Sequence, residues 1–274
     1  MLRRAPGLAV LTSASACLLA ACNVQLSTKA EARDQWQRHY TLADGGTLEI
    51  RNTNGVIHVD TTDGDSVEVS ADRIVQASTD QAAKDGLAGF DIKESVDPKH
   101  VVIDSSNRGG MNLMINMSRR VEYHVRAPIG ANLTLASTNG DINLAGPRLT
   151  GAFRAEATNG RIRASGLENS AHASTTNGTI TLDVAAVGDA GISCQTTNGA
   201  ITLTVPPTLN ARLSARVTNG GISQQGLPFV VAEQSRRRLD GTFGTGGPTI
   251  TLETTNGAIQ IKAGNSKLGI QNSK

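Results

Sequence analysis

The sequence predicts a single-domain, all-β solenoid, and two repeated features indicate this fold. The tripeptide Thr-Asn-Gly occurs seven times in the 274 residues, each time followed by one variable residue and an isoleucine. The five consecutive copies from Thr138 to Thr218 start 20, 18, 21 and 21 residues apart. A fixed period near twenty residues is typical of stacked-repeat proteins, in which each repeat forms one structural unit.

Each repeat reads as a strand, a tight turn, a second strand and a loop. Asn-Gly is a strong turn signal because both residues accept positive φ at little cost. Residues 179–184 follow one such turn and place Ile, Leu and Val on one face of a half-buried strand. The residues predicted to have a structural role in the turns are Asn54, Gly55, Asn139, Gly140, Asn159, Gly160, Asn177, Gly178, Asn198, Gly199, Asn219, Gly220, Asn256 and Gly257.

Two architectures are consistent with this pattern. In an antiparallel meander, every Asn-Gly pair would close a hairpin. In a β-solenoid, each repeat is one coil of about twenty residues, and similar turns lie above one another, where stacked Asn side chains can hydrogen-bond along a column. The recurrence of one turn with the same neighbours favours the solenoid. Right-handed winding, as in a right-handed β-helix, is the expectation from the general handedness of parallel crossovers.

The segments outside the regular array are predicted in chain order. Alternation begins near residue 40 and leads into the first turn, and a capping residue followed by helix formers predicts one short helix near residues 78–87. Residues 105–117 read as a loop. The period is interrupted between Gly226 and Gly247, where a Gly-rich stretch lacks the strand–loop–helix context of a dinucleotide site and is predicted to be a flexible loop.

The N-terminus predicts a lipoprotein signal peptide over residues 1–21. A basic start and an apolar run too short to span a bilayer end in Leu19-Ala20-Ala21-Cys22, which resembles the bacterial lipobox. Lipid attachment is therefore predicted at Cys22, with a tether over residues 22–39, the solenoid domain over residues 40–262 and a polar tail over residues 263–274. Because Asn23 rather than Asp follows Cys22, the outer membrane of the envelope is favoured over the inner one.

Composition and charge exclude some classes of partner. Arg3 and Arg4 are the only charged residues of the first 21, so the formal charge of +2 falls to zero when that segment is removed. A neutral mature chain offers no general electrostatic attraction for nucleic acid. The basic runs at residues 119–120 and 236–238 are predicted to be solvated charge. Aromatic residues make up only 3% of the chain, which suits a thin aliphatic core.

The solenoid region resembles the bacterial putative-adhesin family. Residues 123–135, which run into the turn beginning at Thr138, match its apolar strand with a proline followed by an Asn-Gly turn, and residues 244–261 match its Gly-rich closing segment. The resemblance covers roughly residues 40–262. It implies a β-solenoid domain of unknown function, and it supplies no catalytic residues.

The sequence predicts no catalytic residue, no metal ligand and no cofactor. The alternative is a β-helix polysaccharide lyase or hydrolase acting on envelope or extracellular glycans, which needs carboxylates that converge on one face. The residue after Asn-Gly is acidic only at Asp141, and the densest acidic cluster, at Asp60, Asp63 and Asp65, is predicted to be solvated. The five histidines, at positions 39, 58, 100, 124 and 172, lack metal-ligand spacing. Cys194 is predicted to be a small buried hydrophobe.

The predicted function is therefore a non-enzymatic binding, adhesive or structural role at the bacterial cell envelope. The expected partners are the membrane, through the lipid, and a glycan or protein ligand on the solenoid face, since solenoids commonly bind through extended surfaces.

Overall fold

The computed structural model describes residues 29–106 and 117–264. The predicted signal peptide, Cys22 and residues 265–274 of the predicted tail lie outside these residues. The described residues form the following elements: β1 (Ala30–Thr41), β2 (Thr47–Asn54), β3 (Ile57–Thr62), β4 (Ser66–Ala77), α1 (Asp80–Ala88), β5 (Lys93–Asp97), β6 (His100–Asp104), β7 (Ser118–Pro128), β8 (Asn132–Asn139), β9 (Ile142–Ala145), β10 (Phe153–Asn159), β11 (Ile162–Leu167), β12 (Ala171–Asn177), β13 (Ile180–Val184), β14 (Ile192–Asn198), β15 (Ile201–Val205), β16 (Ala211–Asn219), β17 (Ile222–Gln225), β18 (Phe229–Gln234), β19 (Arg238–Phe243), β20 (Thr249–Asn256) and β21 (Ile259–Ala263).

The strands form two sheets that face each other, and each coil contributes one strand to each sheet. The upstream sheet holds the strand before every Asn-Gly turn and has the order β18-β19-β16-β20-β14-β12-β10-β8-β2-β6-β5. The downstream sheet holds the strand after every turn and has the order β1-β4-β7-β3-β9-β11-β13-β15-β21-β17. Strands of neighbouring coils pair in parallel, with Asn159 opposite Asn139 and Asn177. The predicted β-solenoid is confirmed, and the antiparallel meander is wrong.

The last coil departs from sequential stacking. Strand β20 lies between β14 and β16, and β21 lies between β15 and β17. The β18–β19 hairpin occupies the residues where the period is interrupted, and β19 pairs antiparallel with the outer edge of β16. That edge is therefore covered, and the last coil pairs on the inner side of β16. Of the Gly-rich stretch predicted to be a flexible loop, residues 241–243 end strand β19 and residues 244–247 lie in the turn that follows it.

The core is thin and aliphatic. The isoleucines after the turns in six coils, at positions 57, 142, 162, 180, 201 and 259, have no exposed surface. Burial of such a side chain contributes about 1.5–3 kcal/mol. In the coil of β16 and β17, which lies at the C-terminal end of the stack, Ile222 is only partly buried. Stacked rows of aliphatic side chains fill most of the space between the sheets, and the buried aromatic side chains among the described residues are Phe90, Tyr123, Phe153 and Phe243.

The N-terminal end of the stack is capped by antiparallel strands and by the helix. Helix α1 begins after Thr79, whose side chain accepts a hydrogen bond from the backbone N–H of Ala82 at 3.2 Å. The predicted single short helix is thus confirmed. Strand β1 pairs with β4 along all of its 12 residues, so residues 30–39 of the predicted tether form a strand of the downstream sheet. Trp36 and Tyr40 pack against the core from this strand.

The repeated glycines are required for a reason that the turn signal does not reveal. Among the seven, only Gly55 and Gly220 have positive φ. A Cβ at Gly178 would lie 1.9 Å from the carbonyl oxygen of Gly160 in the neighbouring coil. A Cβ at Gly199 would lie 1.8 Å from the carbonyl oxygen of Gly178. The backbones approach too closely for a side chain at these glycines, so the expectation that the turn glycines need positive φ is wrong for most coils.

Candidate binding face

The Asn-Gly turns form the corner of the stack at which the chain passes from the upstream to the downstream sheet. This corner carries a continuous column of asparagine side chains. Each Asn Nδ2 donates to the Asn Oδ1 of the neighbouring coil, at 2.8–2.9 Å in all six links. The order of the column is Asn54, Asn139, Asn159, Asn177, Asn198, Asn256 and Asn219. At its N-terminal end, Asn54 donates to the backbone carbonyl of Arg119 at 3.0 Å. The side chains therefore tie adjacent coils together along one corner of the stack.

A second, buried set of hydrogen bonds holds the same corner from the inside. The hydroxyls of Thr175, Thr196 and Thr254 donate at 3.0, 3.0 and 2.9 Å to the carbonyl oxygen of the turn glycine in the neighbouring coil. In the first coil, the Asn52 amide donates at 3.0 Å to the carbonyl oxygen of Gly55. The corner is thus fixed on both sides, and this fixes the positions of the residues beside it.

The threonines of the seven Thr-Asn-Gly turns line up on the outer face of the upstream sheet. This threonine row runs Thr53, Thr138, Thr158, Thr176, Thr197, Thr255 and Thr218, because the flanking residues are in parallel register from coil to coil. All except Thr53 are exposed. Neighbouring strands are about 4.8 Å apart, so the row presents one hydroxyl and one methyl group at each such step.

The remainder of this face is flat, polar and shallowly grooved. Three clefts of about 370, 320 and 410 Å³ lie on it. Charged side chains here are largely paired within one strand, as Arg51 with Glu49 and Arg154 with Glu156. Burial, followed by the charge of Arg154, lowers the pKa of His172. The negative charge of Glu156 raises the same pKa by a smaller amount, and His172 lines the cleft of about 370 Å³.

The acidic cluster singled out from the sequence does not converge on this face. Asp60 lies on the downstream sheet, where its carboxylate is 3.4 Å from Nε2 of His58. Asp63 and Asp65 flank Gly64 in the exposed turn between β3 and β4. Within residues 29–106 and 117–264, no three His, Cys, Asp or Glu side chains are grouped so that they could hold a metal ion.

The remaining predicted residues are placed in separate parts of the fold. The rings of His58 and His124 are 6.1 Å apart on the downstream sheet, His100 contacts Glu49 at 3.1 Å, and His39 lies on β1. Cys194 is buried in the core, and burial raises its thiol pKa to about 12. The predicted role of Cys194 as a small buried hydrophobe is confirmed, and its thiol is not a nucleophile at neutral pH.

The structure also groups residues that the sequence does not bring together. Arg216, on β16, lines the largest of the three clefts with Arg237 and Arg238 from the end of the β18–β19 hairpin and with Glu253 from the inserted coil. The arginine run at residues 236–238 is visible in the sequence. Its neighbours are set by the order of the coils, which no local motif specifies.

These features define a parallel, two-sheeted β-solenoid with a hydrogen-bonded asparagine corner and a flat polar face. The chain belongs to the Toastrack DUF4097 family, whose model matches residues 41–262. The resemblance to the bacterial putative-adhesin family is confirmed. A search of the curated proteins found no match.

Several solved structures that match this chain come from bacteria. A putative cell adhesion protein from Clostridium sporogenes is 13% identical, covers 85% of this chain and 100% of its own, and has a TM-score of 0.40. A putative adhesin from Bacteroides fragilis is 12% identical, covers 84% of this chain and 97% of its own, and has a TM-score of 0.39. A "putative lipid binding protein" from Parabacteroides distasonis is 13% identical, with a TM-score of 0.30. Identities and TM-scores this low say nothing about what this chain binds.

Proposed function

We propose that this chain is a non-enzymatic binding protein of the bacterial envelope. It holds an extended partner on the outer face of the upstream sheet, which we call the binding face. The observation that supports this most strongly is the threonine row, which continues in register through all seven coils. Seven threonines at a spacing of about 4.8 Å extend over roughly 29 Å. A surface of this length and flatness suits a linear polymer better than a small molecule.

The physical chemistry of the row also supports binding. Threonine is β-branched and has few accessible rotamers, so little side-chain entropy is lost when a ligand orders it. The backbone beneath it is fixed by the asparagine column and by the buried threonine hydroxyls. Each hydroxyl can donate and accept hydrogen bonds. The face is therefore preorganised for a partner that carries hydroxyl or amide groups, such as a glycan or another protein.

Lipid attachment at Cys22 would place the fold close to a membrane. Seven residues lie between Cys22 and Ala30, where the first strand begins. Even a fully extended chain of that length spans less than about 30 Å. The fold would thus be held near the envelope membrane, of which the outer one is favoured by Asn23. Among the residues that the structure describes, no helix combines the length and hydrophobicity needed to cross a bilayer.

The test is a glycan array and an envelope pull-down with the soluble form that starts at residue 23. Three proteins are compared. They are the parent, the variant Thr158→Gln/Thr176→Gln on the binding face, and the variant Thr181→Gln/Thr202→Gln on the downstream sheet, in the coils of Thr176 and Thr197. We expect at least one ligand that the parent and the opposite-sheet variant retain and the binding-face variant loses. Absence of any ligand, or loss in both variants alike, would contradict the proposal.

The same samples separate binding from cleavage. A polysaccharide lyase or hydrolase would release new chain ends from the retained glycan, and its candidate residues are Asp60, Asp63 and Asp65 with a bound cation. Product ends are therefore followed with and without Ca²⁺, for the parent and for Asp63→Ala. Cleavage that disappears in Asp63→Ala would replace the binding function with an enzymatic one.

A further inference from the structure

The cleft at the C-terminal end of the binding face has a composition of its own. We call it the arginine cleft. Its volume is about 410 Å³, and it is lined by Arg216, Arg237, Arg238 and Glu253 together with Thr197, Thr255 and Thr218 of the threonine row. The two other clefts on this face each carry one arginine, Arg154 or Arg51. Positive charge and the hydroxyl row thus meet at one end of the face.

The three arginines differ in how far their charge is already paired. Nε of Arg238 lies 2.6 Å from a carboxylate oxygen of Asp240 and 3.2 Å from one of Glu233. Nη1 of Arg216 is 2.9 Å from the Ser214 hydroxyl but 4.0 Å from the nearest oxygen of Glu253. The guanidinium of Arg237 has no hydrogen-bond or ion-pair partner among the described residues, although it shares the cleft.

Guanidinium groups whose charge is not fully paired favour one class of ligand group. The planar fork of arginine matches the two oxygens of a carboxylate and forms charge-assisted hydrogen bonds that are stronger than neutral ones. Glu253, at the same cleft, repels a dense run of negative charge. Carboxylates that are spaced by neutral groups therefore fit the cleft better than a continuous polyanion.

The threonine row indicates what lies between those carboxylates. It leads out of the arginine cleft as a flat track of exposed hydroxyls. Repeated hydroxyl groups on the ligand would meet repeated hydroxyl groups on the protein.

We propose that the arginine cleft binds the carboxylate groups of an acidic polysaccharide, whose neutral hydroxyl-bearing parts lie along the threonine row. Arg237 and Arg216 contact the carboxylate, and Arg238 is held in place by its own acidic partners. This inference rests on the proposed function and names the class of its ligand.

The test measures binding of polygalacturonate, dextran and polyglutamate to the form that starts at residue 23, at low and at physiological ionic strength. We expect Arg237→Gln to weaken binding of polygalacturonate about tenfold at low salt, with a smaller loss at higher salt because salt screens exposed charges. Glu253→Gln should strengthen the same binding, because it removes the repelling charge. The control Arg163→Gln, an exposed arginine on the downstream sheet, should leave binding unchanged.

Each alternative result overturns the inference. The parent failing to bind polygalacturonate, dextran binding as tightly, or Arg163→Gln being as damaging as Arg237→Gln would each show that the cleft does not recognise a carboxylate. Polyglutamate binding with the same dependence on Arg237 would assign the cleft to an acidic peptide instead. A neutral glycan that is lost only in Thr158→Gln/Thr176→Gln would leave the proposed function standing while this inference fails.

Discussion

Asn198 donates a hydrogen bond of 2.8 Å from its side-chain nitrogen to the side-chain oxygen of Asn177, although 21 residues separate the two in the chain. The same link recurs from coil to coil, and its periodicity is visible in the sequence. Side-chain hydrogen bonds thus run along the stack axis at the corner beside the binding face, where the main-chain direction changes between the sheets. They fix the spacing on which the threonine row depends.

Removal of one member of the column should lower stability measurably. Asn198→Ala deletes the bond to Asn177 and the bond received from Asn256, both 2.8 Å long. Because net contributions are roughly 0.5–1.5 kcal/mol per bond, the loss of two bonds should lower the free energy of unfolding by about 1–3 kcal/mol. Urea titration measures this change. Asn143→Ala, on the outer face of β9, is the matched control and should change stability by less than about 0.5 kcal/mol; equal effects of the two variants would argue against the column.

Close approach of the coils at the glycines predicts a different pair of effects. A Cβ at Gly178 would lie 1.9 Å from the Gly160 carbonyl oxygen, whereas one at Gly221 would have nothing within 4 Å. Gly178→Ala should therefore destabilise the fold by about 1–3 kcal/mol or more, and Gly221→Ala should have little effect. Thermal unfolding of both variants distinguishes close approach from backbone conformation, since neither glycine has positive φ. Unchanged stability of Gly178→Ala would contradict the close approach.

The thiol of Cys194 should be unreactive in the folded protein. Its pKa of about 12, raised by burial, keeps it protonated, and no solvent reaches it. In the form that starts at residue 23, a thiol reagent at pH 8 should react only after urea unfolds the chain. Because an unfolded thiol has a pKa near 8.5, the unfolded state binds fewer protons than the folded state from about pH 8.5 to 12. This group's contribution to stability therefore falls as pH rises through that window. Rapid labelling at pH 8 without denaturant would show that the thiol is accessible.

Lipid attachment at Cys22 is tested by metabolic labelling. Cells that express the full chain are fed an alkynyl fatty acid, and the label on the protein is compared between the parent and Cys22→Ser. We expect the substitution to abolish labelling and to move the protein out of the membrane fraction, with Cys17→Ser as the control that retains both. Undiminished labelling of Cys22→Ser would mean that another residue carries the lipid.

Local motifs predict much of this structure because they repeat at every coil. The period and the alternation predict the two strands of each coil, and Thr79 predicts the start of α1. The polar composition of residues 30–39 conceals β1, since an edge strand buries little of its surface and here contributes only Trp36 and Tyr40 to the core. The structural role of the turn glycines stays a prediction. Its expected reason, positive φ, holds only at Gly55 and Gly220, whereas close approach of the neighbouring backbone also applies at the other coils.

The order of the coils could not be predicted, for a physical reason. Every repeat carries the same Thr-Asn-Gly turn. The motif therefore shows which residues of two stacked repeats lie opposite each other, but it does not show which repeats are neighbours. Insertion of the last coil depends on the β18–β19 hairpin that covers the edge of β16. The arginine cleft follows from this insertion, because it places Glu253 and Thr255 between β14 and β16. A reading of residues 236–238 alone predicts only solvated charge.

The order of the coils therefore determines both the binding face and the arginine cleft. Cysteine cross-linking tests this order directly. In a Cys194→Ala chain that starts at residue 23, Gln195→Cys/Glu253→Cys places the two thiols on paired residues of adjacent strands. Adjacent strands are about 4.8 Å apart, within the Cα separation that a disulfide spans. Gln195→Cys/Arg216→Cys spans two strand spacings, because β20 lies between β14 and β16, and exceeds the limit of about 7 Å. We predict that mild oxidation closes a disulfide in the first variant and leaves the second reduced; a disulfide in the second variant and none in the first would show that the coils stack in sequence order.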